Sequence, residues 1–235
     1  MDGIFQINDN QVVETAHHFF ITICAVSGSG GMEAYMDKEL LKVLAAREQR
    51  WEMRRSIVEK QQNCLITITL CVPLLYRTDE EFGILFLKLC NNFYKTLVFK
   101  GHQVCFENCI QGDDGPAVFI STETEAKEIK KICVEAEESI IGGRILDIDV
   151  MDRDGSPVGR GDIGLPPRKC FICENPAAIC VSRRLHSANE ISKCVMQLKK
   201  LIESNNEQFN KSPLPLIKDV YEEKDGISDD NQVKM

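Results

Sequence analysis

Two aspartates that alternate along an apolar segment form the first candidate site. Between Arg144 and Asp152, Asp147 and Asp149 are separated by large apolar residues. Side chains of a β-strand alternate between its faces, so the two carboxylates would share one face, roughly 7 Å apart. Carboxylates placed in this way can hold one or two Mg²⁺ ions against a polyphosphate. A half-buried strand with a solvated acidic face explains the same pattern equally well. An Asp-x-Asp motif alone is weak evidence for a metal site.

Three cysteines and a histidine form the second candidate site. Cys170, Cys173, Cys180 and His186 follow the pattern Cys-x2-Cys-x6-Cys-x5-His. Thiolate and imidazole ligands at this spacing suit a tetrahedral Zn²⁺ ion, and a site with four protein ligands would be structural. The alternative is three thiols packed in a small apolar pocket, with His186 capping a helix or binding substrate.

Basic residues are concentrated around the cysteines. Residues 153–186 contain six Lys and Arg against three Asp and Glu, although the formal charge of the whole chain is −8. Arginine forks suit phosphate oxygens, so a local phosphate site is compatible with an acidic chain. An ordinary solvated loop would have the same composition. The Gly142-Gly143 pair before the aspartates would also let the backbone approach a phosphate closely.

The hydrophobic pattern predicts an α+β fold, with helices packed on a mixed or mostly antiparallel sheet. Apolar residues at helical spacing and three capping boxes predict four helices. They begin at Lys38, after Thr78, after Thr122 and after Ser187. Alternating apolar residues predict strands over 65–72, 103–109, 117–121 and 144–152, with residues 153–186 irregular.

The composition changes along the chain predict three parts. Residues 1–36 are expected to be an N-terminal extension, either flexible or produced by a misassigned start codon, because Met32 and Met36 follow a Ser-Gly run. Residues 37–204 form the main domain, which includes the Cys/His-rich segment 168–186. Residues 205–235 are expected to be a polar C-terminal tail.

Charge, hydropathy and cysteine usage exclude several classes of protein. The acidic balance argues against a general nucleic-acid binder. The sequence contains no apolar run of the roughly 20 residues that a membrane helix needs. Eleven cysteines, an odd number spread mostly through apolar segments, indicate a reducing cytoplasm rather than a disulfide framework.

Several motifs together resemble one known family. They comprise the run Gly143 to Val150, the segment Leu165-Pro166-Pro167-Arg168-Lys169-Cys170-x2-Cys173 with Ala177, Ala178, Cys180 and His186, the helical motif Ala45 to Arg50, and Leu65 to Pro73. The match spans roughly 37–203. On these residues the chain resembles the apo-citrate lyase phosphoribosyl-dephospho-CoA transferases, also called citrate lyase holo-acyl-carrier-protein synthases.

The resemblance implies a nucleotidyltransferase-like fold and a transferase domain over 37–204. The family transfers 2′-(5″-phosphoribosyl)-3′-dephospho-CoA from its triphosphate precursor to a serine of the citrate lyase acyl carrier protein (γ) subunit, releasing pyrophosphate. The implied partners are therefore this carrier subunit and triphosphoribosyl-dephospho-CoA. Nucleic-acid and membrane partners are not expected.

The resemblance also implies roles for particular residues. Asp147 and Asp149 would be Mg²⁺ ligands and, with Arg144, the catalytic residues. Arg144 would stabilise the pyrophosphate or ribose-phosphate end of the substrate. His186 would contact substrate or complete the zinc site. Further substrate contacts are expected from Arg77, Gly143, Arg160, Arg168 and Arg183.

The chain departs from the family in two places. Ile140-Ile141 stand where the family usually has His-Pro, and Pro73-Leu74-Leu75 stand where it usually has Pro-Gly-Pro. If the missing histidine is the general base toward the carrier serine, activity would be reduced or the base would lie elsewhere. Two alternatives therefore stay open. One is a non-catalytic, zinc-stapled module that binds the carrier protein, and the other is the same transfer to another carrier subunit, such as that of malonate decarboxylase.

Overall fold

The computed structural model describes residues 30–205, with side chains from Lys38 onward. The predictions for residues 1–29 and 206–235 lie outside the described residues. The helices are α1 Gly30–Gln61, α2 Leu74–Arg77, α3 Glu80–Phe99, α4 Ala126–Ser139, α5 Ala177–Arg183 and α6 Ala188–Ser204. The strands are β1 Cys64–Leu70, β2 Val104–Gly112, β3 Gly115–Thr122, β4 Leu146–Met151 and β5 Pro157–Val158.

The strands form one sheet in the order β2-β3-β1-β4-β5, and every neighbouring pair is antiparallel. The predicted α+β class and the mostly antiparallel sheet are therefore confirmed. Asp113 and Asp114 form the two-residue turn of the hairpin between β2 and β3. The central strand β1 places Thr67 opposite Asp149 and Thr69 opposite Asp147 on β4.

The main core lies on one face of the sheet, between the strands and helices α3, α4 and α6. The predicted apolar stripes of these helices are confirmed as core. Burial of this apolar surface stabilises the fold by about 25 cal/mol per Å². The members with 0% exposure include Ile66, Ile68, Phe86, Phe93, Ile129, Val195 and Ile202.

Helix α1 packs on the opposite face of the sheet. Ile57 and Val58 of α1 contact Leu65, Phe119 and Met151 in a smaller apolar cluster. Further along the same face, the positions carry the threonines of β1 and the aspartates of β4. The interface between α1 and the sheet therefore changes from apolar to polar, and it is the polar part that positions the candidate site.

Two predicted boundaries were wrong. Helix α1 begins at Gly30, not at Lys38, because glycines lower helix propensity without preventing a helix from continuing into them. Residues 153–186 are not irregular throughout, since they contain β5 and α5. Helix α5 begins directly after Pro176, and proline is compatible with a helix start.

No helix among the described residues has the length and apolar character needed to cross a membrane.

Of the three predicted capping boxes, only the last one forms. Ser187 Oγ accepts from the backbone N–H of Glu190, and the Glu190 carboxylate accepts from the backbone N–H of Ser187. At α3 the cap is Asp79 rather than Thr78, because the aspartate side chain accepts from the Phe82 N–H. Thr122 is the last residue of β3, so it does not cap α4.

Candidate active site and cysteine cluster

Strand β4 presents Asp147 and Asp149 on the sheet face that α1 covers. The apolar residues between them are buried, as the alternation predicts. Thr67 and Thr69 lie directly opposite on β1. The Oγ1 atom of Thr67 is buried and has no hydrogen-bond partner among residues 30–205. This aspartate face thus combines two carboxylates with two hydroxyl groups.

Each aspartate faces an arginine at the long end of hydrogen-bond distances. Arg54 Nη1 lies 3.4 Å from Asp149 Oδ2, and Arg168 Nη1 lies 3.5 Å from Asp147 Oδ1. The Asp147 and Asp149 side chains remain 32% and 53% exposed. Partly solvated pairs of this kind contribute little to stability. Both carboxylates are therefore accessible to a cation from solution.

Two further arginines of α1 converge on the turn between β2 and β3. Arg50 Nη1 donates to Asp114 Oδ2, and Arg47 Nε lies 3.9 Å from the same oxygen. Asp114 is buried, with 4% exposure. Arg47 and Arg50 belong to the helical motif Ala45 to Arg50, and the family resemblance gives them no role. The available signal was their spacing, which places them with Arg54 on one face of a helix.

Arg77 and Gly143 are placed by close contacts between chain segments. Arg77 Nε donates to the carbonyl oxygen of Val72 at 2.7 Å. A Cβ on Gly115 would lie 2.8 Å from Arg77 Cβ, so β3 passes tightly against Arg77. A Cβ on Gly143 would lie 2.2 Å from the Ala136 carbonyl oxygen. Packing against α4 therefore requires glycine at 143, and its contact with phosphate stays a prediction.

The four predicted cysteine and histidine ligands come together. Their candidate ligand atoms, from Cys170, Cys173, Cys180 and His186, all lie within 4.8 Å of one another. Cys173 Sγ is 3.4 Å from Cys180 Sγ and 3.3 Å from His186 Nε2. Tetrahedral Zn²⁺ with Zn–S bonds of about 2.3 Å separates its sulfur ligands by roughly 3.8 Å. Small shifts would give this cysteine cluster the geometry of a zinc site.

The environment of the cysteine cluster shifts two thiol pKa values in opposite directions. Burial raises the pKa of Cys180 to about 12. Burial also acts to raise the pKa of Cys170, but hydrogen bonds from the backbone N–H groups of Ile172 and Cys173 and from the Cys180 and Cys173 thiols together outweigh it, so that pKa is lowered. N–H groups directed at sulfur favour the thiolate, which is the form that binds metal. Because the Cys180 proton must leave on metal binding, zinc affinity should rise with pH.

Arg144 connects the cysteine cluster to the start of β4. Its Nη2 atom donates to the carbonyl oxygens of Lys169 and Cys170, at 2.8 Å each. Its guanidinium also lies over the Phe171 ring, 5.4 Å from the centroid. The structure therefore places this predicted catalytic arginine in contact with the backbone of the cluster.

Arg168 lies between the cysteine cluster and the aspartate face. Its Nη2 atom donates to the carbonyl oxygens of Arg144 and Leu146, at 2.6 and 2.9 Å. Its Nη1 atom lies 3.5 Å from Asp147 and 3.6 Å from Glu137. Burial lowers the pKa of Arg168, and the surrounding negative groups raise it by more, so the side chain stays charged.

The other two predicted arginines have different surroundings. Arg160 pairs with Glu137 at 2.6 Å and with Glu138 at 2.7 Å, both on α4. Arg183 is exposed in the last turn of α5. The structure thus gives Arg160 two carboxylate partners on α4 and leaves Arg183 facing solvent.

The two pairs of residues that depart from the family pattern have different surroundings. Ile140 and Ile141 pack against the main core. Leu74 and Leu75 in α2 are 45% and 76% exposed.

His102, one of two histidines in the described residues, has its Nδ1 3.0 Å from Thr124 Oγ1. The other is His186 of the cysteine cluster, so both have partners of their own.

Carboxylates and guanidinium groups on one face of an antiparallel sheet define an α+β protein with a candidate site for phosphate chemistry. A sequence model of the family described as apo-citrate lyase phosphoribosyl-dephospho-CoA transferase matches residues 38–202. The chain therefore belongs to this family, which confirms the resemblance seen in its motifs.

Curated relatives carry the same description. The apo-citrate lyase phosphoribosyl-dephospho-CoA transferase of Escherichia coli O1:K1 / APEC is 25% identical over 150 residues, covering 64% of this chain and 82% of the relative. The proteins of that name from Shigella flexneri serotype 5b (strain 8401) and Shigella boydii serotype 18 match at the same identity and coverage.

Proposed function

We propose that this protein transfers the phosphoribosyl-dephospho-CoA group from its triphosphate precursor to a serine of the citrate lyase acyl carrier protein subunit. Family membership supports the transferred group and the acceptor. The observation that carries the proposal is the pair Asp147 and Asp149 on one sheet face, with Arg54 and Arg168 beside them. The serine oxygen forms a bond to the α-phosphorus, the bond from that phosphorus to pyrophosphate breaks, and the serine proton leaves with the released pyrophosphate.

Asp147 and Asp149 suit a Mg²⁺ ion by the chemistry of their donor atoms. Mg²⁺ is bound in proteins by one or two carboxylates together with water and substrate phosphates. The exposure of both side chains supports this use. A bound Mg²⁺ would neutralise charge on the attacking and leaving oxygens.

The arginines of the aspartate face have two uses in this proposal. Without substrate, Arg54 and Arg168 balance the charge of the two aspartates. With substrate, these guanidinium groups would donate to phosphate oxygens held beside the aspartates, since hydrogen bonds between arginine and phosphate are strong. Arg77 remains a second proposed phosphate contact. Arg144 is more consistent with a positioning role, because its Nη2 group donates to two carbonyl oxygens of the cluster.

The cysteine cluster is proposed to hold a structural Zn²⁺ ion. Three thiols and one imidazole are a common zinc ligand set, and four protein ligands leave no open position for chemistry. The surrounding segment contributes few residues to the core, of which Cys180 and Val158 are the buried apolar members. Metal binding would therefore supply much of the local stability.

The proposal includes a nucleotidyltransferase-like arrangement and a cytoplasmic location. Paired aspartates on a strand of an antiparallel sheet support the first. The cysteines between residues 30 and 205 are all free thiols, which supports a reducing compartment.

The direct test is pyrophosphate release from the triphosphate precursor in the presence of Mg²⁺ and the apo-carrier subunit. We expect release that requires all three components and disappears in Asp149→Ala. Full activity of that variant would remove the metal assignment. Replacing the carrier by that of malonate decarboxylase tests whether another carrier subunit is the acceptor.

A second candidate function is a non-catalytic module that binds the carrier protein. Ile140 and Ile141 favour it, because they occupy the positions of the family's His-Pro pair and pack against the core. This function predicts that the carrier subunit co-elutes with the protein on a sizing column while its mass stays unchanged.

A further inference from the structure

Three arginines on one face of α1 form a row along the polar side of the sheet. Arg47, Arg50 and Arg54 are spaced by three and four residues, so they follow one another along the helix. One end of this arginine row contacts Asp114 in the β2–β3 turn, and the other end contacts Asp149 of β4. The row therefore spans from the hairpin turn to the candidate metal ligands.

Positive charge exceeds negative charge at the hairpin end of the row. Asp114 is the carboxylate that pairs with both Arg47 and Arg50. Burial lowers the pKa of Arg47, and repulsion from Arg77 and Arg50 lowers it further, against the opposing effect of Asp114. A partly buried guanidinium whose pKa is lowered in this way gains from a further anion nearby.

Two donors in the row lack a hydrogen bond. The Nε atoms of Arg47 and Arg54 are buried and have no hydrogen-bond partner within residues 30–205. Leaving a buried, charged donor unpaired is costly, so these atoms require an explanation. An anionic ligand oxygen that accepts from these Nε atoms would explain both the unpaired donors and the excess positive charge of the row.

An open cleft lies beside the hairpin end of the row. It has a volume of about 460 Å³. Its walls come from the middle of α1, the residue after α2, the end of β2 and the β2–β3 turn. The lining residues are Lys42, Ala45, Ala46, Gln49, Thr78, Gln111, Gly112 and Asp113.

We propose that Arg47, Arg50 and Arg54 bind the triphosphate of the substrate, with Arg54 nearest the reacting phosphorus and Arg47 at the distal phosphates. This assignment rests on the proposed transferase function and extends it. The triphosphate is the most highly charged part of the precursor, and the arginine row is continuous with the aspartates that would hold its metal. Asp114 keeps Arg47 and Arg50 in place, so it is a positioning residue.

Binding of inorganic triphosphate, measured by calorimetry with the full chain and Mg²⁺, tests the site without the reaction. We expect Arg54→Gln to weaken binding about tenfold or more, as for loss of one charge-assisted contact. Arg55→Gln is the matched control, because Arg55 is the exposed neighbour on the same helix. Equal loss in both variants, or no loss in either, would overturn the proposal.

Arg50 needs a different design, because Arg50→Gln leaves Asp114 buried without its partner and can unfold the protein. The double variant Arg50→Gln, Asp114→Asn removes the pair together. We expect it to keep its melting temperature within a few degrees and to weaken triphosphate binding. Unchanged binding in a folded double variant would show that this end of the row only attaches α1 to the sheet.

Transfer assays separate this proposal from the proposed function. If the wild type transfers the group and Arg54→Gln raises KM for the precursor about tenfold, both stand. If the wild type transfers the group and KM is unchanged in Arg54→Gln, the site assignment fails alone. If the wild type binds triphosphate through the row but transfers nothing, the site stands and the transferase function fails.

Discussion

The aspartate face and the cysteine cluster are held in place by different means. Asp147 and Asp149 sit on a strand paired along its length with β1, so the hydrogen-bonded sheet fixes their positions. Cys170 and Cys173 sit in a loop that a few backbone hydrogen bonds and Arg144 hold in place, and their sulfur atoms lie close to Cys180 and His186. One region is therefore fixed by continuous strand pairing, and the other by a few local contacts together with the side chains that would hold a metal.

Arg168 is the residue that joins the two regions. Arg168 precedes Cys170 by two residues in the sequence. Its guanidinium donates to the Leu146 carbonyl oxygen of β4 and lies 3.5 Å from Asp147. A change in the position of the cysteine cluster would therefore displace the Arg168 guanidinium beside the aspartate face. We therefore expect changes in the cluster to affect activity indirectly, and changes in the aspartates to affect it directly.

The largest expected effect is the loss of catalysis in Asp149→Asn. Removing one proposed metal ligand should lower kcat by about a thousandfold or more, since metals contribute several kcal/mol to such steps. The melting temperature should hardly change, because Asp149 is half exposed and its pair with Arg54 is long. Asp152→Asn, one residue beyond β4, is the control and should keep wild-type kcat. A large fall in melting temperature would show that Asp149 supports the fold instead.

Loss of the metal in Cys173→Ser should come next. The purified wild type should contain one zinc per chain by elemental analysis, and the variant should contain little. Activity should fall about tenfold to a hundredfold through displacement of Arg168, while the circular dichroism of the sheet and long helices is retained. Cys105→Ser, at an exposed cysteine of β2, is the matched control. If the wild-type protein is zinc-free and still fully active and fully stable, zinc does not order the cysteine cluster and the prediction is wrong.

A smaller effect is expected for Arg168→Lys, which keeps the charge and removes the fork. Lysine cannot contact two carbonyl oxygens and two carboxylates at once, so activity should fall about tenfold and unfolding free energy by about 1–3 kcal/mol. Arg153→Lys is the control, because Arg153 pairs at the surface with Glu125. If zinc content and activity are both unchanged in Arg168→Lys, the two regions are independent.

The smallest effect concerns Ser187→Ala, at the cap that follows His186. The expected loss is about 1 kcal/mol of unfolding free energy, measured by urea denaturation, because one N-cap hydrogen bond disappears. Activity should stay within twofold of wild type. A loss of zinc in this variant would mean that the helix cap, and not the four ligands alone, positions His186.

Regular patterns explain what could be predicted from the sequence. The apolar residues of α3 recur at helical spacing, and Leu146, Ile148 and Val150 alternate with the aspartates along β4. The spacing of apolar residues therefore predicts which side chains enter the core. The cysteine cluster was predictable because ligand spacing limits the geometry within a short segment.

Contacts between distant segments explain what was missed. Arg50 and Asp114 are separated by 64 positions, and nothing local marks the aspartate as buried. For Arg144 the family resemblance implies a phosphate contact, and nothing in the sequence indicates that its guanidinium also donates to two carbonyl oxygens. Asp79 replaced Thr78 as a cap because the two residues are adjacent and either can accept.

The most direct measurement of the central claim is the intact mass of the apo-carrier subunit after incubation with this protein, Mg²⁺ and triphosphoribosyl-dephospho-CoA. We expect a mass gain equal to the precursor less pyrophosphate, and no gain when Asp149→Asn replaces the wild type. The Escherichia coli relative, run in parallel, verifies that carrier and precursor are competent. An unmodified carrier with this protein, beside a modified one with the relative, would contradict the claim.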